Sequence, residues 1–281
     1  MTAGSLRMQI EKIAEEAGAE QVGIAFHDYE THQSWSCRGE DWFHAASTIK
    51  VPVLLGVYGA IHAGLLHEES RVHVRNRFFS AVDGSRFRVE ASRDANSDVQ
   101  RAIGRTMKVE ELAHHMIATS SNLATNLLLD VIGLEVMQRL LAPLHLDGVE
   151  LRRGVEDELA WQAGINNRVT ANGLLQALRL IVEERAFSPA CCRRMLDILH
   201  QQQFRNGIPA GLPEGARVAH KTGEISTAAH DAGIVFLPDR EPYVLAVLTQ
   251  WPPEAGRRHE AIAHISQRVF EHLRGAEEEL A

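Results

Sequence analysis

HAASTIKVPVLLG, residues 44–56, joins a short run of small residues to an apolar segment, and Ser47 and Lys50 stand at the junction. The apolar run continues to Leu66, but a proline, three glycines and a histidine interrupt it, and it is shorter than the roughly 20 residues that cross a bilayer. We therefore predict a buried helix that begins at about Ser47. A lysine at the start of such a helix loses hydration, so its amine is expected to interact with a neighbouring group.

Short strands are predicted near both ends of the chain. The segments QVGIAFHD (21–28) and SWSCRG (34–39) flank a polar turn and favour a hairpin. Three later segments are rich in β-branched residues and bounded by glycine and proline: GARVAHKTG (215–223), HDAGIVFLP (230–238) and PYVLAVLTQ (242–250). Amphipathic helices are predicted before the first strand, in 1–20, and after the last, in 257–273.

The middle of the chain has helical periodicity. Apolar residues recur at helical spacing in four segments: 109–120, 124–144, 170–185 and 189–204. Because a sheet that is split along the chain is most simply completed by joining its two parts, we predict an α+β fold with two domains. Residues 1–64 and 208–281 form a discontinuous α/β domain with an antiparallel sheet flanked by helices, and 65–207 form an inserted, all-helical domain.

The composition indicates a globular chain and excludes several classes of function. Of the 281 residues, 45% are hydrophobic and 23% are charged, which is ordinary for a globular protein. The net charge is -8 and no long basic run occurs, so we expect no nucleic-acid partner. Three cysteines, two of them adjacent, do not make a disulfide framework. The N-terminal segment lacks the apolar core of a signal peptide, so we expect no membrane partner and a cytoplasmic protein, or a periplasmic or secreted one if a leader peptide has been removed.

Lysine is rare in this sequence, which makes its positions informative. Of 29 basic residues only four are lysine, at positions 12, 50, 108 and 221. Lysine can lose its proton when it is desolvated, whereas arginine effectively cannot. If Ser47 starts the buried helix, Lys50 lies on the same face one turn later, and its amine reaches a serine hydroxyl that needs a base to act as a nucleophile. The alternative is that Ser47 only caps the helix and Lys50 extends its charge into solvent.

Two further segments carry candidate functional residues. Lys221, Thr222 and Gly223 stand at the end of a predicted strand, where they offer a cation and a hydroxyl to an anionic group, or form an ordinary strand edge. Ser120 and Asn122 lie between two predicted helices, either in a site or in a loop that only caps the second helix.

Glu156 lies in the acidic loop GVEDELA (154–160), which by itself favours a solvated loop. Taken together, however, Ser-x-x-Lys (47–50), Ser-x-Asn (120–122), the acidic loop and Lys-Thr-Gly (221–223) follow one another in an order that resembles the serine β-lactamases and penicillin-binding proteins. The acidic loop resembles that of the class A branch in particular. The resemblance covers nearly the whole chain and implies a β-lactamase-like fold.

The resemblance implies acyl transfer without a cofactor, on a small β-lactam or a related acyl compound. Ser47 attacks the carbonyl, and Lys50, or Glu156 acting through a water, accepts its proton. Ser120 passes a proton to the leaving nitrogen. Glu156 then activates the water that hydrolyses the acyl-enzyme.

The resemblance also implies a substrate-binding set, which comprises Asn122, Lys221, Thr222, Gly223 and Glu224. Asn122 would bind the side-chain amide of the substrate, and Lys221 with Thr222 would bind its carboxylate. The backbone N–H groups of Ser47 and Glu224 would form the oxyanion hole, in which each donor typically supplies roughly 10²–10³ in rate.

Three departures from the family pattern affect the expected function. Ser121 replaces the aspartate of the family's Ser-Asp-Asn motif, which threatens the geometry of that loop. Ala160 stands four residues after Glu156, where the family has an asparagine that helps to hold the hydrolytic water, so deacylation is affected more than acylation. No arginine occurs in His-Asp-Ala-Gly (230–233), where many relatives have one that supports carboxylate binding.

Four functions are therefore open at this point. They are a β-lactamase that turns over, a penicillin-binding or sensor-like protein that acylates and stalls because of Ala160, an esterase or D-Ala-D-Ala peptidase that uses the same residues, and an inactive protein that keeps the fold. Fifteen histidines do not add a metalloenzyme to these, because the sequence has no H-E-x-x-H motif and we expect no metal.

Overall fold

The structure is a computed structural model, and it describes residues 3–94 and 97–280. Within these ranges the α-helices are α1 Ala3–Ala17, α2 Lys50–His62, α3 Ser97–Arg101, α4 Val109–Ala118, α5 Asn122–Ile132, α6 Leu134–Leu141, α7 Glu158–Gln162, α8 Ala171–Val182, α9 Pro189–Leu199 and α10 Arg258–Leu280. The strands are β1 Gln21–Asp28, β2 Ser34–Cys37, β3 Phe43–His44, β4 Arg71–His73, β5 Phe78–Phe79, β6 Arg86–Phe87, β7 Thr106–Lys108, β8 Val149–Glu150, β9 Arg168–Val169, β10 Arg217–Ile225, β11 Ala228–Leu237 and β12 Arg240–Gln250. None of the helices in the described ranges is long and apolar enough to cross a membrane.

The chain forms two compact units. The sheet unit comprises the chain up to Thr48, the segment Arg168–Arg179 and the chain from Phe204 onward. The helical unit comprises Ile49–Asn167 and Leu180–Gln203. The helix α2 belongs to the helical unit because it packs on α4, α5, α6 and α9, whereas the predicted boundary at 64/65 assigned it to the sheet. Whether the two units correspond to the predicted domains, 1–64 with 208–281 and 65–207, stays a prediction.

Five antiparallel strands form the sheet, in the spatial order β10-β11-β12-β1-β2. The predicted α+β class is confirmed, and both chain ends contribute to one sheet: β1 pairs with β12 so that Ile24 lies opposite Val247. The apolar faces of α1 and α10 pack into one core with inward-facing residues of the strands. This core includes Leu6, Ile10, Ile24, Phe26, Val218, Val235, Leu245, Val247, Trp251, Ile262, Ile265, Val269 and Leu273.

The predicted buried helix is confirmed as α2, which lies in the helical unit. Every residue from Lys50 to Ala60 is buried, because a helix that is apolar on all sides needs neighbours on all sides. A methyl group on Gly56 would lie 1.7 Å from Sδ of Met137, so the glycine permits close packing against α6. The α-helical geometry begins at Lys50 and not at Ser47, which lies in a preceding 3₁₀ turn.

The region that was predicted to be all-helical differs from that expectation by a break in one helix and by several short strands, which include β8 and β9. The helix predicted over 124–144 is broken at Gly133, whose φ of 86° ends α5 and begins α6. Two short antiparallel ladders are also present, one between β4 and β7 and one between β5 and β6. Strands of two or three residues are too short to show an alternating pattern, and so periodicity alone did not indicate them.

Candidate active site

The candidate residues fall into two groups, one in each unit. Ser47 and the Lys-Thr-Gly strand belong to the sheet unit, and Lys50, Ser120, Asn122 and Glu156 belong to the helical unit.

Ser47 lies in the 3₁₀ turn that leads into α2, and its main chain is held by local contacts. The preceding residue, Ala46, has a φ of 45°, a left-handed conformation that is uncommon outside glycine and frequent at functional sites. The backbone N–H of Ala46 donates to Nδ1 of His44 at 3.0 Å. The hydroxyl of Thr48 donates to the backbone oxygen of Ala45 at 2.6 Å. These contacts fix the direction of the backbone at the predicted nucleophile.

Gly223 brings the strand β10 close to the main chain of Ser47. A methyl group on Gly223 would lie 3.0 Å from the backbone nitrogen of Ser47 and 2.9 Å from that of Thr48. Such contacts are too short, and backbone atoms cannot move aside cheaply, so this position requires glycine. Because β10 is an edge strand of its sheet, one side of its backbone has no neighbouring strand. The predicted oxyanion hole stays a prediction, and it would have to lie in this neighbourhood.

The other residues of the Lys-Thr-Gly strand are largely enclosed. Lys221 is fully buried, and its amine donates to the backbone oxygen of Thr222 at 2.7 Å. An ordinary strand-edge lysine keeps its charge in solvent, so the burial of Lys221 favours a functional use of the amine. The side chain of Glu224 is half exposed and accepts a hydrogen bond from Nε2 of His259 at 3.0 Å.

A buried histidine that the sequence analysis did not single out supports the segment before Ser47. The backbone N–H of Thr249 donates to Nδ1 of His230 at 3.1 Å, so the ring carries its proton on Nε2. That proton is donated to the backbone oxygen of His44 at 2.9 Å. Burial lowers the pKa of His230 to about 4, so the ring stays neutral near pH 7. His230 thereby ties β11 and β12 to the strand that precedes Ser47.

An acidic residue lies across from Thr222 in the sheet. Asp231 is its partner in the β10–β11 register, and it accepts a hydrogen bond from the backbone nitrogen of Ile208 at 2.8 Å. The second carboxylate oxygen lies 2.8 Å from Nδ1 of His220, and both of these side chains are fully buried. The absence of an arginine from residues 230–233 is therefore accompanied by a buried carboxylate beside Thr222.

The amine of Lys50 is buried among polar groups of the helical unit. It lies 2.7 Å from the backbone oxygen and 3.0 Å from Oγ of Ser120, and 2.8 Å from Oδ1 of Asn122. Burial lowers the pKa of Lys50 to about 7, although the carboxylates of Asp94 and Glu156 act in the opposite direction. The alternative in which Lys50 extends into solvent is wrong. A lysine with this pKa exchanges a proton readily at neutral pH.

The loop that carries Ser120 and Asn122 combines a helix cap with left-handed backbone. Ser121 caps α5, because its hydroxyl accepts a hydrogen bond from the backbone nitrogen of Ala124 at 3.1 Å. The capping alternative is therefore correct for Ser121, while the side chains on either side of it contact Lys50. Ser120 itself has a φ of 57°, which fits a residue held in place for function.

Glu156 is also enclosed, and the alternative of a solvated loop is wrong. Its side chain is 15% exposed, and its backbone has a φ of 63°. Nε of Arg93 lies 2.9 Å from one carboxylate oxygen, and Nδ2 of Asn122 donates to the other at 3.2 Å. Burial raises the pKa of Glu156, and the charges of Arg93 and Lys50 oppose that change. The loop is fixed by Asn126, whose side-chain amide forms two hydrogen bonds of 2.8 Å with the backbone of Val155.

Comparison with known proteins shows the family of this chain. The family model for the Beta-lactamase enzyme family matches residues 5–273. The chain belongs to this family of hydrolases. A beta-lactamase of Bacillus licheniformis is 28% identical to it over 238 residues, which cover 82% of this chain and 71% of the relative.

Solved structures are similar over nearly the whole chain. PBP-A is 25% identical, with a TM-score of 0.83 and 97% of both chains covered. A mutant of PBP-A, with a TM-score of 0.81, was solved as an acyl-enzyme complex with penicillin-G. An ancestral class A beta-lactamase is 25% identical, with a TM-score of 0.81 over 95% of this chain and 99% of its own.

Sequence motifs indicated most of these side chains, but they did not indicate all of the contacts. The structure brings Lys50, Ser120, Asn122 and Glu156 together in the helical unit. In the sheet unit it brings Gly223 to the backbone of Ser47. Arg93 and Asp94, which contact candidate residues, and His230, which contacts His44, were missed because each makes its contacts across a long stretch of chain and belongs to no short motif. The catalytic and binding roles of all these residues stay predictions.

Proposed function

We propose that this protein is a serine hydrolase of the class A β-lactamase type, which opens a β-lactam ring through an acyl-enzyme on Ser47. The observation that carries the proposal is the buried amine of Lys50, bonded to the hydroxyl of Ser120 and the amide of Asn122. Ser47 is three positions before Lys50, a length of chain that spans at most about 11 Å. The family membership and the acyl-enzyme formed by the PBP-A mutant support the same reaction.

In the acylation step, the proton of Ser47 passes to the neutral amine of Lys50, or through a water to Glu156. The serine oxygen then forms a bond to the lactam carbonyl carbon. When the ring C–N bond breaks, the nitrogen takes a proton from the hydroxyl of Ser120. Lys50 can replace that proton directly, because its amine lies 3.0 Å from the same oxygen. On the route through Lys50, the protons therefore balance over the step.

In the deacylation step, Glu156 accepts a proton from a water molecule, and the water oxygen bonds to the acyl carbon. The ester bond to Ser47 breaks, and the serine oxygen takes up the proton that Glu156 had accepted, which restores the carboxylate. The partly buried carboxylate of Glu156 suits this role, since a carboxyl with a raised pKa is a stronger base. Lys221 and Thr222 supply a cation and a hydroxyl for an anionic group of the substrate.

Intact-mass spectrometry after a penicillin pulse, combined with hydrolysis of a chromogenic cephalosporin, tests the proposal. We expect turnover by the wild type, and neither adduct nor turnover by Ser47→Ala. Glu156→Gln should acylate and then hold the adduct, with deacylation slower by about 10²–10⁴-fold. The matched control is Glu135→Gln, at an exposed glutamate of α6, and it should deacylate normally. Equal hydrolysis by wild type and Ser47→Ala would refute the proposal.

A protein that acylates and stalls is the second candidate. It is favoured by Ala160, a fully buried residue whose methyl side chain can neither donate to nor accept from a hydrolytic water. The same mass measurement separates the two candidates. A long-lived adduct on wild-type Ser47 would show stalling, and rapid loss of the adduct would show turnover.

A further inference from the structure

Two adjacent residues outside all of the recognised motifs, Arg93 and Asp94, contact both catalytic loops of the helical unit. They end a short 3₁₀ segment that begins at Ala91. From there, Asp94 reaches the loop that carries Ser120, and Arg93 reaches Glu156.

Asp94 supplies a carboxylate to the start of α5. Its oxygens accept the backbone N–H of Asn122 at 3.0 Å and that of Leu123 at 3.2 Å. The hydroxyl of Ser121 lies 3.3 Å from the same carboxylate, and Asp94 is only 8% exposed. A charge-assisted cap of this kind holds the first turn of a helix and is favoured by the helix dipole.

Arg93 connects the same loop to Glu156. Its backbone oxygen accepts a hydrogen bond from Nδ2 of Asn122 at 3.1 Å, and its guanidinium lies 2.9 Å from the Glu156 carboxylate. Since Nδ2 of Asn122 also reaches Glu156, at 3.2 Å, the three residues form a closed ring of contacts. A carboxylate held by two donors has a fixed orientation.

We propose that Arg93 and Asp94 are positioning residues of the catalytic site, with Asp94 holding Ser120 and Asn122 against Lys50 and Arg93 holding the Glu156 carboxylate. This inference rests on the proposed function and extends it to residues that no motif contains. Asp94 supplies a carboxylate beside Ser121, the residue that replaces the aspartate of the Ser-Asp-Asn motif. Arg93 supplies a guanidinium N–H donor to the carboxylate of Glu156. The loop of Glu156 has the apolar Ala160 where the family has an asparagine.

The charges around Glu156 give Arg93 a measurable effect. The charged groups that face this carboxylate are Arg93 from the 3₁₀ segment, Lys50 from α2, and Arg153 and Glu158 from its own loop. Burial raises the pKa of Glu156, and Arg93 is the strongest of the opposing influences. Loss of the guanidinium should therefore raise this pKa further, because a nearby positive charge favours the ionised carboxylate.

The test for Arg93 compares Arg93→Gln with Arg93→Lys, and uses Arg152→Gln as a matched control that breaks a surface ion pair with Glu150 elsewhere in the same unit. We expect Arg93→Gln to slow deacylation by about 10²-fold, which is more than it slows acylation of Ser47. The acidic limb of the deacylation profile should move to higher pH, and Arg93→Lys should restore part of the rate. If Arg93→Gln and Arg152→Gln have the same deacylation rate, the proposed role of Arg93 is overturned.

The test for Asp94 is a rescue experiment. Asp94→Ala should slow acylation by about 10²-fold, because Ser120 and Asn122 lose their support. The double variant Asp94→Ala/Ser121→Asp returns a carboxylate to the start of α5 and should recover most of the acylation rate. Recovery would also show that the single variant was folded in its other parts. An acylation rate in Asp94→Ala equal to that of the wild type, or no recovery in the double variant, overturns the role of Asp94.

A readout that does not require turnover separates this inference from the proposed function. In carboxyl-labelled protein, NMR titration should show a higher pKa for Glu156 in Arg93→Gln than in Arg152→Gln. The amides of Asn122 and Leu123 should exchange with solvent faster in Asp94→Ala. If the wild type forms no adduct with penicillin but both NMR effects occur, the proposed reaction fails and the positioning role stands. If the adduct forms and neither NMR effect occurs, the positioning role fails alone.

Discussion

The amine of Lys50 contacts Ser120 twice, at the backbone oxygen and at the hydroxyl oxygen. The backbone contact favours the protonated amine, and burial favours the neutral one. Burial is the larger influence, because the pKa of Lys50 falls to about 7. The same lysine is therefore suited both to accept a proton and to return one within a single catalytic step.

Lys50→Arg should abolish most acylation while keeping a positive charge at this position. Arginine effectively cannot lose its proton, and its larger head does not fit the three acceptors around the amine. We expect acylation of Ser47 to slow by about 10²–10⁴-fold, measured by mass after a penicillin pulse. Lys108→Arg, a matched exchange at a partly exposed lysine that pairs with Glu69, should acylate normally. Normal acylation by Lys50→Arg would contradict the role of the amine.

The acylation rate should depend on pH through the charge of Lys50. Below about pH 7 the amine carries its proton and cannot accept another, so the rate should fall by about tenfold per pH unit. Above that pH the neutral amine predominates and the rate should level off. Single-turnover acylation measured across neutral pH checks this, and Asp94→Asn should move the midpoint to lower pH because it removes a carboxylate that raises this pKa. A rate that does not change across this range would count against Lys50 as the base.

Gly223→Ala should destabilise the protein and disturb the nucleophile. The added methyl would contact two backbone nitrogens at about 3 Å, those of Ser47 and Thr48. Overpacking of this kind costs about 1–3 kcal/mol in the free energy of unfolding, and it should also slow acylation. The control is Gly256→Ala, whose methyl would have no atom within 4 Å. Urea unfolding and single-turnover acylation measure the two effects, and an unchanged Gly223→Ala variant would show that the strand has room to move.

His230→Leu should lower stability through lost hydrogen bonds. It leaves the buried N–H of Thr249 without its acceptor and the backbone oxygen of His44 without this donor. Each loss costs about 1–3 kcal/mol in the free energy of unfolding. His67→Leu, at an exposed histidine, is the control and should be close to neutral. Equal urea midpoints for the two variants would mean that the buried ring is dispensable.

The fold was predictable to the extent that it depends on local pattern. The β-branched content and the glycine and proline boundaries in 215–250 indicated the three strands β10, β11 and β12, and all three are present. The break at Gly133 was missed because a single glycine in an apolar periodic segment is usually tolerated in a helix. The short ladders of the helical unit were missed because strands of two or three residues are too short to show an alternation of apolar and polar residues.

The candidate site was predictable where the chemistry lies in a motif. Lysine at position 50 stood out because it stands at the start of an apolar segment and because lysine is rare in this chain. Ser121 and Ala160 were read as losses, because only the neighbouring sequence was visible. The structure shows that a carboxylate from Asp94 and a guanidinium from Arg93 lie beside the affected loops.

The amino-acid sequence by itself determined the main helices and strands, the family and the candidate side chains, because these depend on residue type and on spacing over a few positions. Only the tertiary structure decided that Lys50 is buried and that Arg93 and Asp94 contact loops that lie 27 or more residues later in the chain. Hydrogen bonds and desolvation act over a few ångströms in space. The partners of a group, and therefore its pKa, are set by the path of the chain and not by its neighbours in sequence.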